Sequence, residues 1–233
     1  MRSSYKTLTL QFVIAIFFFS SINLIAQNKV VREIAPFDKV KISDDLKVTF
    51  KKADRENITI VAKGIGYDKI VTESSGRELK LKVKTGIFKD TDVQILVEYV
   101  KLRSIEATNK ADIKFEEILS GDELILKASS NAVINVEVQV SALKATLSNG
   151  GRIEISGTAD LQEVEANLGS KYNAYEFETE NGYIKSNTTS DVVVWVKNRL
   201  EATAGSKAKL KYRGKPEDVQ SSSSLGGKIS GDL

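Results

Sequence analysis

The sequence contains no cysteine and no histidine in its 233 residues, and it has only two prolines. The chain therefore lacks a thiol nucleophile, the commonest general base and the usual zinc ligands. Zinc sites, Cys–His pairs and Ser–His–Asp triads are excluded, and we expect no cofactor. Disulfide bonds are excluded as well, so the folded state must be held together by packing and backbone hydrogen bonds.

The sequence also has no large excess of charge of either sign. Lys and Arg number 34 and Asp and Glu number 31, which gives a formal net charge of +3. Arg2 and Lys6 belong to a leader that we expect to be removed, so 3 minus 2 leaves about +1 on the mature chain. Binding to nucleic acid requires a strongly basic surface, and we therefore expect no nucleic-acid partner.

Residues 1–26 have the pattern of a cleaved signal peptide. Arg2 and Lys6 precede an apolar run at residues 10–19, and Ala26 suits a cleavage site. This run is shorter than the roughly 20 residues of a membrane-spanning helix. Because no cysteine is present, a bacterial lipid anchor is excluded. We expect an exported chain without a transmembrane segment, located in the periplasm, on the outer-membrane surface or outside the cell.

The second half of the chain repeats one short pattern. A small or apolar lead residue is followed six positions later by an apolar partner, with turn-forming residues between them. Successive lead residues differ by 21, 19, 21, 20, 16 and 19 positions. Such a period with alternating side chains predicts an all-β fold, a single-stranded β-helix or β-solenoid of about seven coils over residues 102–233. The lead residues are Ala107, Ala128, Leu147, Leu168, Thr188, Ala204 and Ser223, and their partners are Ile113, Ile134, Ile153, Ala174, Val194, Leu210 and Ile229.

The residues between lead and partner favour tight or left-handed turns. A second column of residues lies two positions before the lead residues. Its side chains become smaller along the chain, from aliphatic to small, which predicts a core that tapers toward the C-terminus. The turn residues are Asn109, Asn131, Asn149, Gly150, Gly151, Gly169, Ser170, Ser190, Asp191, Gly205, Ser206, Gly226 and Gly227. The second column is Ile105, Leu126, Ala145, Ala166, Ser186, Ala202 and Ser221.

Residues 27–101 also alternate between apolar and polar residues, but without a fixed period. We expect them to form an irregular N-terminal β region that caps the solenoid, so that residues 27–233 make one continuous domain. One short helical segment of a turn or two is predicted at residues 67–72, after Gly64 and Gly66.

A family resemblance adds to this interpretation. Residues 37–48 (FDKVKISDDLKV) and residues 93–97 follow the order of elements in a group of exported proteins. Residues 200–216 (LEATAGSKAKLKYRGKP), followed by Gly226, Gly227 and Ile229, are more telling. They resemble the end of the putative auto-transporter adhesin head domain, or GIN domain, of Bacteroidetes. The resemblance spans about residues 35–230 and implies an exported all-β protein with a β-helical body and an adhesive role.

Two features are candidate ligand contacts. A basic stripe alternates along one predicted strand through Lys207, Lys209, Lys211, Arg213 and Lys215. It could bind an anionic polysaccharide through its first four members, or it could simply protect an edge strand from aggregation. Trp195 is the single tryptophan, and it lies on the outer face if Val194 points inward. It could contact a ligand or pack against a loop or another protomer.

The acidic residues argue against catalysis. Asp112, Asp160, Asp191 and Asp218 fall at unlike places in their coils and should not form one metal-binding or acid–base cluster. Glu176, Glu178 and Glu180 alternate along one strand without a basic partner at matching positions, which indicates a solvated face. We therefore predict no catalytic and no metal-binding residues.

Three functions remain open. The favoured one is a noncatalytic adhesin-head-like module that binds a polysaccharide or protein of a cell surface or envelope. The alternatives are a β-helical polysaccharide lyase or hydrolase and a purely structural envelope protein. In addition, the last coil has few charges to protect its edge, which predicts either self-association or cover by a segment of the N-terminal region.

Overall fold

Residues 29–231 are described by the structure, a computed structural model of the chain. The predicted signal peptide lies outside the described residues. Within 29–231 there is no α-helix. The helical segment predicted at residues 67–72 is only a 3-10 turn at Tyr67–Lys69, because residues 70–72 belong to a strand. The strands are β1 (Lys29–Glu33), β2 (Lys39–Ile42), β3 (Lys47–Lys52), β4 (Asn57–Lys63), β5 (Ile70–Ser75), β6 (Glu78–Val83), β7 (Asp92–Tyr99), β8 (Ser104–Ala107), β9 (Asp112–Phe115), β10 (Leu119–Ala128), β11 (Val133–Leu147), β12 (Arg152–Ala166), β13 (Lys171–Ser186), β14 (Asp191–Ala204), β15 (Lys209–Arg213), β16 (Asp218–Ser223) and β17 (Lys228–Ser230).

The C-terminal half is a β-solenoid of seven coils, as predicted. Each coil pairs in parallel with the next, so that one residue per coil stacks in the same column. The lead column is Ala107, Ala128, Leu147, Ala166, Ser186, Ala204 and Ser223. Its neighbours across the turn are Ile113, Ile134, Ile153, Tyr172, Val192, Leu210 and Ile229.

Parallel pairing runs along the rod in three sheets. The first sheet contains β9, the beginnings of β11–β14, β15 and β17. The second contains β8, the ends of β10–β14 and β16. The third sheet is narrow and consists of the beginning of β10 and the middle parts of β11–β14. In each sheet alternate side chains enter one shared apolar core.

The prediction was wrong for the lead residues of two coils. Leu168 and Thr188 lie in the turns that follow β12 and β13, and Leu168 is 51% exposed. The true lead residues, Ala166 and Ser186, come two positions earlier. A shift by two residues preserves the inward and outward alternation of a strand, so the hydrophobic pattern alone could not distinguish the two registers.

A ladder of left-handed turns joins the first and second sheets. Both central residues of each four-residue turn have positive φ, as at Asn109 (52°) and Lys110 (67°), which is the geometry of a type I′ turn. The turns also bond to one another, since the Gly150 amide donates to the Leu168 carbonyl at 3.1 Å. The predicted left-handed turns are therefore confirmed, although in the fifth turn the left-handed pair is Thr188 and Thr189 rather than the predicted Ser190 and Asp191.

The core does not taper as predicted. The column two positions before the true lead residues keeps large side chains in its middle, because Val164 and Ile184 occupy it where Ala166 and Ser186 were expected. Large aromatic side chains also enter the C-terminal coils, where Tyr172 and Phe177 are fully buried. The cross-section is therefore filled by different residues in each coil rather than by a steadily smaller set.

The N-terminal region caps the solenoid, and part of it continues the parallel coils. β2 pairs in parallel with β8 on one side and with β6 on the other, and β3 lies in the same way between β9 and β7. Two coils are thus added to the seven, and their order in space differs from their order in the chain. The coil formed by β2 and β3 lies between two coils that come later in the sequence.

Antiparallel strands close the N-terminal end. β4 pairs with β7, β1 pairs with β4, and β5 pairs with β6. Arg32 of β1 ties this cap together, since its Nη1 donates to the Ile70 carbonyl at 2.8 Å and to Thr72 Oγ1 at 2.9 Å. Ile58 and Ile60 of β4 are fully buried beneath it. This end of the rod therefore presents no open face of the core.

Asp38 connects three neighbouring coils at one corner. Its carboxylate is buried, and its Oδ2 accepts hydrogen bonds from Arg77 Nε at 3.0 Å and from Arg103 Nη2 at 2.7 Å. Burial by itself would raise the pKa of Asp38, but the two arginines outweigh it and lower the pKa below its ordinary value. The Asp38 carboxyl therefore binds its proton less readily in the folded state than in the unfolded state.

We expect Asp38→Asn to lower the free energy of unfolding at pH 7 by about 1.5–3 kcal/mol, because the three hydrogen bonds from Arg77 and Arg103 lose their charged acceptor. The contribution of Asp38 is present above its unfolded pKa, near 3.9, and is lost as the pH falls through its lowered folded value. Thermal melts from pH 7 to pH 2 should show the difference between variant and parent shrinking below about pH 4. Asp68→Asn, at an exposed ion pair, is the control and should change stability by less than about 0.5 kcal/mol. Equal melting of Asp38→Asn and parent at pH 7 would contradict the assignment.

The C-terminal end of the described chain is open. β16 pairs only with β14 and β17 only with β15, and inward-facing Val219 is 40% exposed. The predicted cover by the N-terminal region is wrong for residues 29–101, because their strands stack at the other end of the rod. Self-association through this edge stays a prediction.

Candidate ligand-binding groove

A bulge in β13 changes the outer surface of the first sheet. The register with β12 shifts by one residue between Glu154 and Ser156. The register with β14 shifts between Asn173 and Glu178. Bulges redirect the side chains that they contain. Tyr175 lies within this bulge and is 44% exposed on the outer face.

Arg213 lies against two aromatic rings beside this bulge. Its Cζ is 4.4 Å from the ring centroid of Tyr175 and 4.0 Å from that of Trp195. Arg213 Nη1 also donates a hydrogen bond to the Tyr175 carbonyl at 3.1 Å. Cation–π contacts of this geometry hold a guanidinium in place while its remaining N–H groups stay available. The three residues together, named here the aromatic wall, form one ordered edge of the surface.

Buried polar side chains support the aromatic wall from inside the core. Thr179 Oγ1 donates to the Trp195 carbonyl at 2.9 Å, and Gln162 Nε2 donates to Thr179 Oγ1 at 2.7 Å. The Tyr172 hydroxyl donates to Gln162 Oε1 at 3.2 Å, and burial raises the pKa of Tyr172 above its ordinary value. Buried groups that satisfy one another in this way favour a single backbone arrangement. The position of Trp195 is therefore fixed from both sides of the sheet.

An open groove of about 600 Å³ lies next to the aromatic wall on the first sheet. Tyr175 and Glu176 of the bulge form one side, and Lys211 of β15 lies at its C-terminal end. The remaining lining residues come from equivalent positions of successive coils: Asn135, Val136, Glu154, Ile155, Ser156, Asn173 and Val193. Amide, carboxylate and ammonium groups beside an exposed ring are the chemistry that recognises a hydroxylated and charged ligand.

The cations of this surface lack carboxylate partners. From β12 to β17 the outer face of the first sheet carries six cations and three carboxylates, a net charge of +3, and no ion pair of the described residues involves any of them. The cations are Arg152, Lys171, Lys209, Lys211, Arg213 and Lys228, and the carboxylates are Glu154, Glu176 and Asp191. The other faces differ: Lys144 pairs with Glu163 and Lys197 with Glu178.

The structure brings three of the five predicted contact residues to this site. Trp195 and Arg213 form the aromatic wall, and Lys211 lines the groove. Lys209 lies on the same outer face, in the neighbouring column beside Asp191. Lys207 does not belong to the stripe, because it occupies a left-handed turn position with a φ of 63°. The indole of Trp195 is half-buried, and the Arg213 guanidinium covers one face of it.

Two interpretations of charged strands were wrong. β15 is not an edge strand, since it pairs with β14 on one side and β17 on the other, so its lysines do not protect a free edge. The glutamate run of β13 does have a basic partner, because Lys197 Nζ lies 3.2 Å from Glu178 Oε1 and 3.1 Å from Glu180 Oε1.

Sequence reasoning did not select Tyr175 as a site residue. The available signal was coil length, since the coil from Ala166 to Ser186 spans 20 positions and the two coils before it span 19 each. One additional residue in an otherwise regular coil indicates a bulge.

Comparison with known proteins identifies the family. The family model described as "Putative auto-transporter adhesin, head GIN domain" matches residues 36–216. The chain belongs to this family. No curated protein matches the GIN domain chain.

Solved structures show the same fold at low sequence identity. A putative adhesin from Bacteroides fragilis has a TM-score of 0.78 and 17% identity, with 89% of this chain and 98% of that chain covered. A putative adhesin from Parabacteroides merdae has a TM-score of 0.71 and 16% identity, covering 88% and 96%. A protein from Parabacteroides distasonis described as a putative lipid binding protein has a TM-score of 0.67 and 17% identity, covering 89% and 98%. These similarities confirm the predicted fold.

The described part of the GIN domain chain, residues 29–231, consists of strands, turns and one 3-10 turn. No helix in that range is long and apolar enough to cross a membrane. The same residues contain no group of three or more acidic, histidine or cysteine side chains placed to hold a metal ion.

Proposed function

We propose that this GIN domain protein is exported and acts as a noncatalytic binding module for an acidic polysaccharide of a cell surface or envelope. The observation that carries the proposal is the outer face of the first sheet around the groove, which has a net charge of +3 from β12 to β17. Exposed Tyr175 adjoins Arg213 and Lys211 there, beside the Glu154 and Glu176 carboxylates of the groove. Tyr175 offers its ring to the apolar face of a sugar. Lys211 offers an ammonium group to the carboxylate of a uronic acid.

The arrangement suits binding better than the two alternatives. A structural envelope protein would not need so many unpaired cations on one face. On the other faces of the C-terminal coils Lys144, Lys197 and Arg199 have carboxylate partners, whereas Lys127 and Lys185 do not. A lyase or hydrolase reading has one observation in its favour, because Glu154 and Glu176 line the same groove as Lys211. Family membership and the adhesins of like fold favour the noncatalytic reading.

Fluorescence titration tests the proposal directly, because Trp195 is the only tryptophan of the chain. Polygalacturonate should change the emission of Trp195, and neutral dextran should not. Binding should weaken as salt rises, since exposed charges are screened. Lys211→Glu and Tyr175→Ala should each weaken binding about tenfold or more, equivalent to about 1.4 kcal/mol.

Matched controls lie on the second sheet. Lys185→Glu makes the same charge change and Tyr183→Ala removes another exposed ring, and neither should alter affinity. Equal binding of charged and neutral polymers, or equal loss in the controls, would contradict the proposal. Release of new reducing ends or unsaturated products during incubation would instead establish the enzymatic alternative.

A further inference from the structure

The third sheet presents an acidic outer face. Its outward side chains, and those of the corner that leads to the second sheet, belong to residues 120–122, 137–141, 156–160, 176–180 and 195–198. Glu176 lines the groove beside the aromatic wall and is already counted there. The remaining charged residues are five carboxylates and one cation, a net charge of −4: Asp122, Glu137, Asp160, Glu178 and Glu180, with Lys197. This surface is named here the acidic face.

The carboxylates of the acidic face have few cationic partners. Asp122, Glu137 and Asp160 are exposed, and no ion pair among the described residues involves them. Glu178 and Glu180 share one cation, since Lys197 Nζ lies 3.2 Å and 3.1 Å from them. An open groove of about 500 Å³ crosses this face, and its charged lining residues are Asp160, Glu178 and Glu180. A surface with this potential repels anionic ligands and attracts a cationic partner.

The same molecule carries a cationic face of matching length. This face is the outer side of the first sheet from β12 to β17, where the net charge is +3. One of its columns advances by one strand at each step through positions 152, 171, 191, 209 and 228, and four of these five residues are Lys or Arg. Its four steps of about 4.8 Å span roughly 19 Å. The acidic face also spans four steps, from β10 to β14.

We propose that the acidic face of one copy binds the cationic face of a second copy, so that the rods associate side by side. The charges of the two faces are opposite and similar in size, which is the complementarity that selects a partner. Because two different faces take part, the contact is heterologous. Each bound copy therefore leaves a free face for the next one, and short chains of rods grow.

The association should be weak and sensitive to salt. A face of about 19 Å by 16 Å is well below the roughly 800 Å² that each partner buries in a stable complex. The charges therefore supply most of the attraction, and salt screens them. A neighbour on the cationic face covers Lys211 and Arg213, so a polyanionic ligand of the adjoining groove competes with it. The inference does not depend on the proposed function, because it requires only the chain itself.

Sedimentation velocity of the concentrated, purified chain tests the association. In about 20 mM salt the weight-average mass should rise to at least about twice that of the monomer, and in about 500 mM salt it should return to the monomer value. Two double variants each remove one face. Glu137→Lys with Asp160→Lys neutralises the acidic face, Lys171→Glu with Lys209→Glu reverses the cationic face, and each variant alone should stay monomeric in low salt.

Mixing the two double variants gives the sharpest result. Each variant keeps the face that the other lacks, so the mixture should form heterodimers that do not grow further. The matched control, Lys127→Glu with Lys185→Glu, makes the same charge change on the second sheet and should assemble like the parent.

Three results would overturn the inference. A parent chain that stays monomeric in low salt would leave the acidic face to a different cationic partner. Assembly that survives in both double variants, or in about 500 mM salt, would indicate the open C-terminal edge instead. A mixture of the double variants that stays monomeric would show that the two faces do not bind each other. Loss in each double variant, retention in the control and heterodimers in the mixture would establish the contact.

Discussion

Replacing Ile153 by aspartate should prevent the chain from folding. Ile153 is fully buried and stacks between Ile134 and Tyr172 in the column next to the turns. An unpaired charge at such a position costs several kcal/mol, and a protonated carboxyl still lacks a hydrogen-bond partner there. Total stabilities are about 5–15 kcal/mol, so one such change can remove most of the folding free energy. Circular dichroism should show no cooperative thermal transition.

The neighbouring residues provide controls for this prediction. Arg152 precedes Ile153 on the same strand and is exposed, so Arg152→Asp should shift stability by no more than about 0.5 kcal/mol. Ile134→Asp should behave like Ile153→Asp, because Ile134 is the equivalent residue of the preceding coil. A soluble Ile153→Asp protein that melts at the parent temperature would show that the inward assignment is wrong.

Gly157→Ala should destabilise the fold by about 2–5 kcal/mol, combining backbone strain with overpacking. Gly157 has a φ of 105°, which side-chain-bearing residues rarely adopt, and an added Cβ would lie 2.0 Å from the Val138 carbonyl oxygen. Because that oxygen belongs to the backbone of the adjacent coil, no side-chain rotation can relieve the clash. The melting temperature should fall by roughly 5–15 °C in differential scanning calorimetry.

Gly121→Ala is the matched control for Gly157→Ala. No atom lies within 4 Å of a Cβ added at Gly121, and its φ is not positive. This change should be neutral or stabilise the chain by up to about 1 kcal/mol. Melting of the two variants at the same temperature would contradict the role assigned to Gly157.

The periodic half of the fold was predictable because each coil obeys the same physical requirements. Inward aliphatic residues such as Ile134 and small or left-handed turn residues such as Asn149 recur with the coil, so spacing alone indicates a solenoid. The register failed at Leu168, which is aliphatic and two positions from the true lead, Ala166. Only the backbone shows that Leu168 occupies a left-handed turn with a φ of 54°.

The site was predictable in part for a related reason. The outward position of Trp195 and the alternation of Lys211 and Arg213 follow from strand geometry. The third member of the aromatic wall depends on the bulge at Tyr175, and the buried support depends on Gln162 and Thr179 meeting across the core. The bulge left one signal, a coil one residue longer than the two before it, whereas the buried contact left none in the spacing. The position of β3 in the outer face could not be predicted from spacing either, since β3 pairs with β7 and β9 rather than with its neighbours in the chain.

The placement of β2 and β3 also sets the order in which this molecule can assemble. Their coil is enclosed by β6 and β7 on one side and by β8 and β9 on the other, all of which are synthesised later. A chain emerging from its N-terminus therefore cannot complete this coil until residue 115 is present. Each coil after β9, in contrast, can add to a finished template as soon as it appears. Growth of the rod would thus start with one slow, long-range closure and continue as rapid stepwise addition toward the C-terminus.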